Sequence, residues 1–508
     1  MASKKKSGRR SVSTGSVDVH CHVFNAQDVP VRKFVELVYL EKYPGGSLLD
    51  PLIDFIEYIM RLGAPTTREE IDELTHAGLR LVRLKPHGTR AHNIRVVSHA
   101  LEQMWNRSSK DQQWVRQHFS PQLRKHFGSK RQIAVTPTHF RQTAQYLMGL
   151  PDIGTWIKFA LIYTKPRWEI TQELVSLSST QAKDVFLYTP AVLDIGFPLG
   201  EGNTSDLGEQ VEVMSLIAQI KNRNCAVHAF VAFDPFRASS DANVLGTVKD
   251  AVLNKGAIGV KMYPPMGFKP CGNADSELDR QMKDILGFCL AEDVPILVHC
   301  SFSQFVQPAD GVCAAPEAWQ AFLKQDGHAN LRLNLGHCGG PWDLAANPVT
   351  KTIWTETVIK LLGSSDYPHL YADLGDDSWI LDPCSNDNMN LMNQLLGFLK
   401  NNPNARSRLL YGSDWSLLAR ETGANNYYAS MKKWFGKLLN FTAAEQLGYL
   451  GGNALCFLGL AKNKDGSKPK NRQRLEKFRS SKALDMSIFS KIDVDARSLH
   501  VTQFEHWY

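Results

Sequence analysis

Residues 294–340 read VPILVHCSFSQFVQPADGVCAAPEAWQAFLKQDGHANLRLNLGHCGG. Two Ile/Leu/Val-rich runs, VPILVHCSFS (294–303) and LRLNLGHCGG (331–340), flank a helix-like stretch, and each carries a His-Cys pair. Apolar runs that are continuous rather than alternating mark strands covered on both faces, the habit of a parallel sheet. The same unit recurs outward from this pair, as VFLYTPAVLD (185–194), CAVHAFVAFDP (225–235), AIGVKMYPP (257–265), LYADLGDD (370–377) and RLLYGSDWS (408–416). An eighth run, SVDVHCHVF (16–24), lies near the N-terminus. Eight such strands separated by helical stretches predict an α/β chain. They fit a closed (β/α)8 TIM-type barrel more simply than an open doubly wound sheet.

The barrel is not contiguous in sequence. Segment 17–24 is expected as barrel strand 1, 25–182 as a large helical insertion, and 183–460 as the remainder of the barrel. Within the insertion, DPLIDFIEYIMRLG (50–63) and NIRVVSHALEQMWNR (93–107) have helical apolar spacing, and Thr67-x-x-Glu70 reads as a capping box. Loops that follow barrel strands emerge at the catalytic end, so this insertion is expected to form a helical cap over the mouth. The plainer reading is an annex on the barrel flank. The segment FTAAEQLGYLGGNALCFLGL (441–460) is expected to supply the last covering helices. Beyond Leu460 the apolar periodicity fades, leaving 461–508 as a basic C-terminal tail, matched by a disordered basic tail over 1–16.

Charge supports that division. The 508 residues carry a formal net charge of +7. Residues 1–16 contribute +5, residues 461–508 another +5, and 17–460 nets −3. A nucleic-acid-binding fold carries its basic face on the ordered domain, so nucleic acid is not the expected partner. Deletion of 1–16 and 461–508 tests their role: turnover left intact would mean that both ends concern location or partners only. No window approaches 18 consecutive apolar residues, and Ser11–Ser16 supply no apolar core for a secretory signal. Nine cysteines without CxxC pairs exclude a disulfide scaffold or Cys-type zinc finger. A cytoplasmic location is expected. The cluster Lys4–Lys6, Arg9 and Arg10 also has the composition of a nuclear address, but a solvated disordered tail is the simpler reading.

The strand ends carry the chemistry. Lys261 to His299 is 38 residues, His299 to His337 is 38 again, and His337 to Asp414 is 77, about two further periods. These four residues therefore sit at one level of strands four, five, six and eight. Strand one adds His20 and His22, which alternation points to one face while Cys21 points to the other. The same alternation turns Cys300 and Cys338 toward the helices, as small core residues. Asp18 shares the face of His20 one layer deeper and is expected to orient His20 or a neighbour. Neutral imidazoles and a carboxylate are the donors that Zn2+ and similar divalent ions take, and a catalytic site keeps a position for water. A lone histidine here would read as a core residue, which is the reading given to His228. Four histidines and an aspartate at matched levels predict a metal centre.

In order and spacing, VDVHCH, GVKMYPP, ILVHCS, LNLGHCGG and YGSDW resemble the amidohydrolase superfamily of metal-dependent hydrolases, over roughly 17–24 and 183–460. The resemblance implies that His20, His22, His299 and Asp414 are metal ligands. It is closest to the amidohydrolase-related group of aminocarboxymuconate-semialdehyde decarboxylase-like enzymes, which use one metal and a catalytic strand-six histidine, here His337. Other branches use two metals bridged by a carboxylated strand-four lysine. Lys261 holds that position, and His337 would then bind the second ion. An ion pair or a substrate contact is the plainer reading of Lys261.

The expected activity is hydrolysis of a small carbonyl compound (amide, lactone or cyclic imide) by water activated on one or two divalent ions, most simply Zn2+. Asp414 would pass the proton to the leaving group, and His337 would stabilise the oxyanion or hold a second ion. Arg237 is a candidate clamp for a substrate carboxylate. Tyr263 and Trp415 are candidate pocket walls, though packing explains both. The rival on the same site is a metal-dependent, non-oxidative decarboxylase of an aromatic or enoic acid, with hydration of a double bond as a further variant. A rival of another class is a catalytically inactive binding barrel. The expected partner is a small-molecule substrate with no membrane, and a homo-oligomer is compatible with the sequence.

Overall fold

The computed structural model describes residues 15–42, 50–128, 135–179, 185–196, 199, 205–221, 225–302, 308–340, 346–347, 349–419, 421 and 423–493. The expected tail 1–16 lies almost wholly outside these residues. Nine strands form one parallel sheet: β1 (Ser16–His22), β2 (Val185–Ala191), β3 (Ala226–Val227), β4 (Phe230–Ala232), β5 (Gly259–Met262), β6 (Ile296–His299), β7 (Leu333–Gly336), β8 (Leu370–Asp373) and β9 (Leu409–Leu410). β3 and β4 both pair with β2 and together make the third barrel strand, interrupted at His228 and Ala229. Val19 N–H donates to Tyr411 O at 3.2 Å and Asp414 N–H to His20 O at 2.7 Å, bringing the last strand back to the first. The result is the nearly closed eight-stranded parallel barrel that the apolar runs predict, with helices around it.

Nine helices between β1 and β2 occupy Val31–Ser179 among the described residues. Their capping box falls one residue earlier than expected: Thr66 caps the helix Thr67–His76, and Glu69 supplies the returning carboxylate. Glu70 is instead buried, where it accepts from Arg167 and from Asn25 Nδ2 at 2.8 Å. Arg167 also forks onto Asp28, with Nε at 2.8 Å from Oδ2. This cluster ties the helices to the chain just beyond β1. An aromatic column adds to the tie, from Phe24 to Tyr163 at 4.6 Å and from Phe34 to Phe159 at 6.3 Å. Lower down, Lys221 N–H donates to Leu79 O at 3.0 Å, so the layer also runs along the barrel flank. Arg167→Leu strands two buried carboxylates and is expected to cost about 3–5 kcal/mol, read as a lowered midpoint in chemical denaturation.

The C-terminal segment differs from expectation. Residues 461–493 are not a detached tail, because the helix Lys470–Ser481 and the turn after it pack on the barrel. Leu475, Ile488, Phe489 and Ile492 join Val17, Phe230, Leu297, Leu410 and Phe457 in one apolar cluster. Basic residues help dock the segment, Lys470 donating to Ala291 O at 2.5 Å and Arg474 to Glu292 O at 2.6 Å, while Arg472 ties the segment together through Asp493 at 2.6 Å and Glu476 at 3.0 Å. Arg479 Nη1–H donates to Nε2 of the buried His228 at 3.0 Å. His228 is thus the core histidine expected, and burial holds its pKa down at about 3. No helix among the described residues is long and apolar enough to cross a membrane.

Candidate metal centre

The matched strand ends converge as their spacing requires. His20 and His22 end β1, Lys261 lies on β5, His299 closes β6, His337 follows β7 and Asp414 follows β9. All six are buried or nearly so. The donor atoms of His20, His22 and Asp414 lie within 4.8 Å of one another. Asp414 spans two imidazoles, with Oδ1 at 3.7 Å from His22 Nε2 and Oδ2 at 3.8 Å from His337 Nε2. Ring centroids place His20 and His299 each 4.6 Å from His337. His299 lies outside the three-residue convergence, with Nε2 2.8 Å from Ser301 Oγ.

Hydrogen bonding sets the imidazole tautomers. A carbonyl or carboxylate oxygen only accepts, so a ring nitrogen facing one carries the proton. His22 Nδ1 faces Ala191 O at 3.3 Å, His20 Nδ1 faces Asp373 Oδ1 at 2.8 Å, and His337 Nδ1 faces Gly375 O at 3.2 Å. Each therefore presents Nε2 as its lone-pair nitrogen. Burial pushes the pKa of His20, His22 and His299 well below the usual value and that of His337 down to about 3, keeping all four neutral. Neutral imidazoles with inward Nε2 atoms beside a buried carboxylate are the donor set of a zinc-type site. The residues fit a divalent ion.

The backbone around these groups is unusual. His337, Cys338 and Asp414 adopt φ values of 63°, 47° and 40°. Non-glycine residues in this left-handed region cost free energy and persist where their surroundings impose them. At Asp414 the constraints come from β1: Asp414 N–H donates to His20 O, Trp415 Nε1–H donates to His22 O at 2.7 Å, and Asp18 accepts from Ser413 N and Oγ at 3.0 and 2.6 Å. Asp18 thus holds Ser413, the neighbour of Asp414, and also accepts from the His20 backbone, and burial pushes its pKa up to about 7. Gly412 permits the close approach, since a Cβ there would stand 2.6 Å from His20 Cβ.

The remaining candidates divide. Lys261 Nζ lies 3.2 Å from His20 Nε2, and burial lowers its pKa to about 8. Tyr263 reaches His22 Nε2 through its hydroxyl at 3.2 Å, stacks on His299 at 5.5 Å and lies under Lys261 Nζ. Trp415 is buried, with its indole engaged by His22 O. Arg237 is held away in a fork on Asp194, with Nε at 2.8 and 2.7 Å from the two carboxylate oxygens. Cys21, Cys300 and Cys338 are buried in the large apolar cluster. Two polar contacts to the site histidines escape the histidine spacing. Ser301 follows His299 by two residues, and Asp373 ends β8 inside the run LYADLGDD, about midway between His337 and Asp414.

No protein-family model matches the chain, and no curated protein matches it. Solved structures do show likeness. An amidohydrolase from Burkholderia multivorans with bound zinc is 16% identical over 56% of this chain and 87% of that one, at a TM-score of 0.38. A 2,6-dihydroxybenzoate decarboxylase complexed with 2,6-dihydroxybenzoate is 13% identical over 56% of this chain and 86% of that one, at 0.36. A metal-dependent hydrolase, so described, from Lactobacillus casei is 13% identical over 88% of this chain and 96% of that one, at 0.34. These are likenesses of architecture, and the reading of the site rests on its own residues.

Proposed function

We propose that the chain is a metal-dependent hydrolase acting on a small carbonyl substrate, an amide, lactone or cyclic imide. The observation that carries this reading is the convergence of His20, His22 and Asp414 donor atoms within 4.8 Å. His20, His22 and Asp414 would hold the ion, with His299 as the further ligand once Ser301 yields its Nε2. A divalent ion held there supplies Lewis acidity toward a carbonyl and makes water a nucleophile near neutral pH.

The chain's own groups then handle protons. Asp414 accepts the proton from water, and its Oδ2 faces His337 Nε2. His337 Nε2 begins as an acceptor because Nδ1 carries the proton toward Gly375 O. In that tautomer His337 cannot donate to an oxyanion, so the proton that Asp414 takes from water passes on to the leaving group, and His337 Nε2 would serve as an acceptor or as a ligand to a second ion. The Tyr263 hydroxyl, within reach of His22, is placed to orient the substrate carbonyl. Arg237 would bind a substrate carboxylate only by sharing its guanidinium with Asp194. At a pKa of about 8 Lys261 has a populated amine form at neutral pH, the form that reacts with CO2 to give a bridging carbamate.

Elemental analysis of the purified protein, combined with 13C-bicarbonate labelling, tests the reading. One or two zinc-type ions per chain are expected, and two should accompany a carbamate carbon signal that Lys261→Ala abolishes. Protein that holds no divalent ion after incubation with zinc contradicts it. Turnover that releases CO2 without consuming water would assign the same site to decarboxylation.

A further inference from the structure

Asp373 binds no metal in this reading, yet one of its carboxylate oxygens accepts hydrogen bonds from both His20 and His337. It ends β8 and has no solvent exposure. Its Oδ1 accepts from His20 Nδ1 at 2.8 Å, from His337 backbone N–H at 3.2 Å and from Gly375 backbone N–H at 3.0 Å. Its Oδ2 accepts from Nδ2 of the buried Asn334 on β7 at 2.7 Å.

Two consequences meet on that single oxygen. A carboxylate facing Nδ1 leaves His20 no choice of tautomer, so Nε2 carries the lone pair on the side of His22 and Asp414. The same oxygen braces the peptide of His337, whose φ of 63° needs outside support, and the peptide of Gly375, whose carbonyl fixes the His337 ring. A carboxamide in its place keeps an acceptor at the Oδ1 position, whereas alanine removes it altogether. We propose that Asp373 is a positioning residue that sets His20 and His337 together, selecting the tautomer of one and holding the strained backbone of the other. Its consequence for metal retention rests on the proposed metal-dependent activity, whereas the tautomer assignment does not.

The test uses the full chain stripped of metal, with its imidazole nitrogens labelled and read by two-dimensional 15N NMR. In wild type, His20 and His337 are expected as Nδ1–H tautomers. In Asp373→Ala, His20 is expected to become a tautomer mixture and His337 to shift, while His22, held by Ala191 O, keeps its pattern. Zinc affinity, measured by competition with a chelator, is expected to weaken about 10- to 100-fold. An unchanged His20 pattern in folded Asp373→Ala overturns the proposal, even if the variant melts earlier, because a merely structural aspartate would lower stability and leave the tautomer alone. If Asp373→Ala does not fold, Asn334→Ala removes only the Oδ2 hydrogen bond. It is expected to perturb His20 partly and weaken zinc roughly fivefold; no change in either overturns the proposal. Should wild type bind no zinc, the functional reading falls, and the NMR comparison still decides this one.

Discussion

His22→Ala is expected to yield a folded protein that has lost its metal. His22 contributes one of the three convergent donor atoms, and its ring bonds to Ala191 O and the Tyr263 hydroxyl, while the bond from Trp415 Nε1–H to the backbone O of residue His22 survives the substitution. Loss of a supporting hydrogen bond behind a metal ligand costs about 10- to 100-fold in affinity, so loss of the ligand itself should exceed roughly 100-fold. Asp414→Asn should behave similarly with less disturbance, since it keeps the shape and the backbone bond to His20 O. Metal content per chain, with circular dichroism as the check on folding, reads both variants. Wild-type zinc content in folded His22→Ala would remove His22 from the site.

The second large effect concerns stability. Truncation after Leu460 strips Leu475, Ile488, Phe489 and Ile492 from a cluster that includes the barrel residues Val17, Phe230 and Leu410. Such a chain is expected to aggregate or to lose its cooperative thermal transition. The finer version is Phe478→Ala with Phe489→Ala. Both rings are buried, each deletion costs about 3–5 kcal/mol, and together they approach the whole stability of an ordinary domain, about 5–15 kcal/mol. Differential scanning calorimetry reads the result. A truncated chain with an unchanged transition would show that the segment only rests on the barrel.

These two predictions mark what could be read from the residues. The barrel was legible because each strand is a continuous apolar run, and doubly covered parallel strands have no other signature. The site was legible because barrel strands end at one level, so residues about 38 apart in sequence, such as Lys261, His299 and His337, become neighbours in space. The C-terminal segment was not legible. It docks through Asn471, Arg472 and Arg479 as much as through its few apolar residues, and hydropathy reads such side chains as solvent-facing. Asn471 Nδ2–H donates to Ile258 O and Leu458 O at 2.9 and 2.7 Å, contacts that no periodicity announces. Asp373 escaped for a related reason. Its importance lies in three N–H groups brought to one oxygen by tertiary structure, two of them from the backbone. The charge of +7 changes meaning as well, because Lys470, Arg474 and Arg479 of its C-terminal share reach Ala291 O, Glu292 O and His228 on the barrel.

The insertion between β1 and β2 joins these themes. Asp28, Arg167 and Glu70 fasten it within a few residues of His22, so the chain that carries the first two ligands is anchored on both sides. β1 supplies His20 and His22 and also receives the Asp414 backbone. One strand therefore aligns three donors.

X-ray absorption at the zinc edge of the zinc-loaded wild-type protein tests the metal centre most directly. Nitrogen and oxygen scatterers at about 2.0–2.1 Å, with the multiple-scattering pattern of at least two imidazoles, are the expected result. Sulfur scatterers at about 2.3 Å, or zinc without imidazole ligands, would place the ion elsewhere and contradict the assignment of His20, His22 and Asp414.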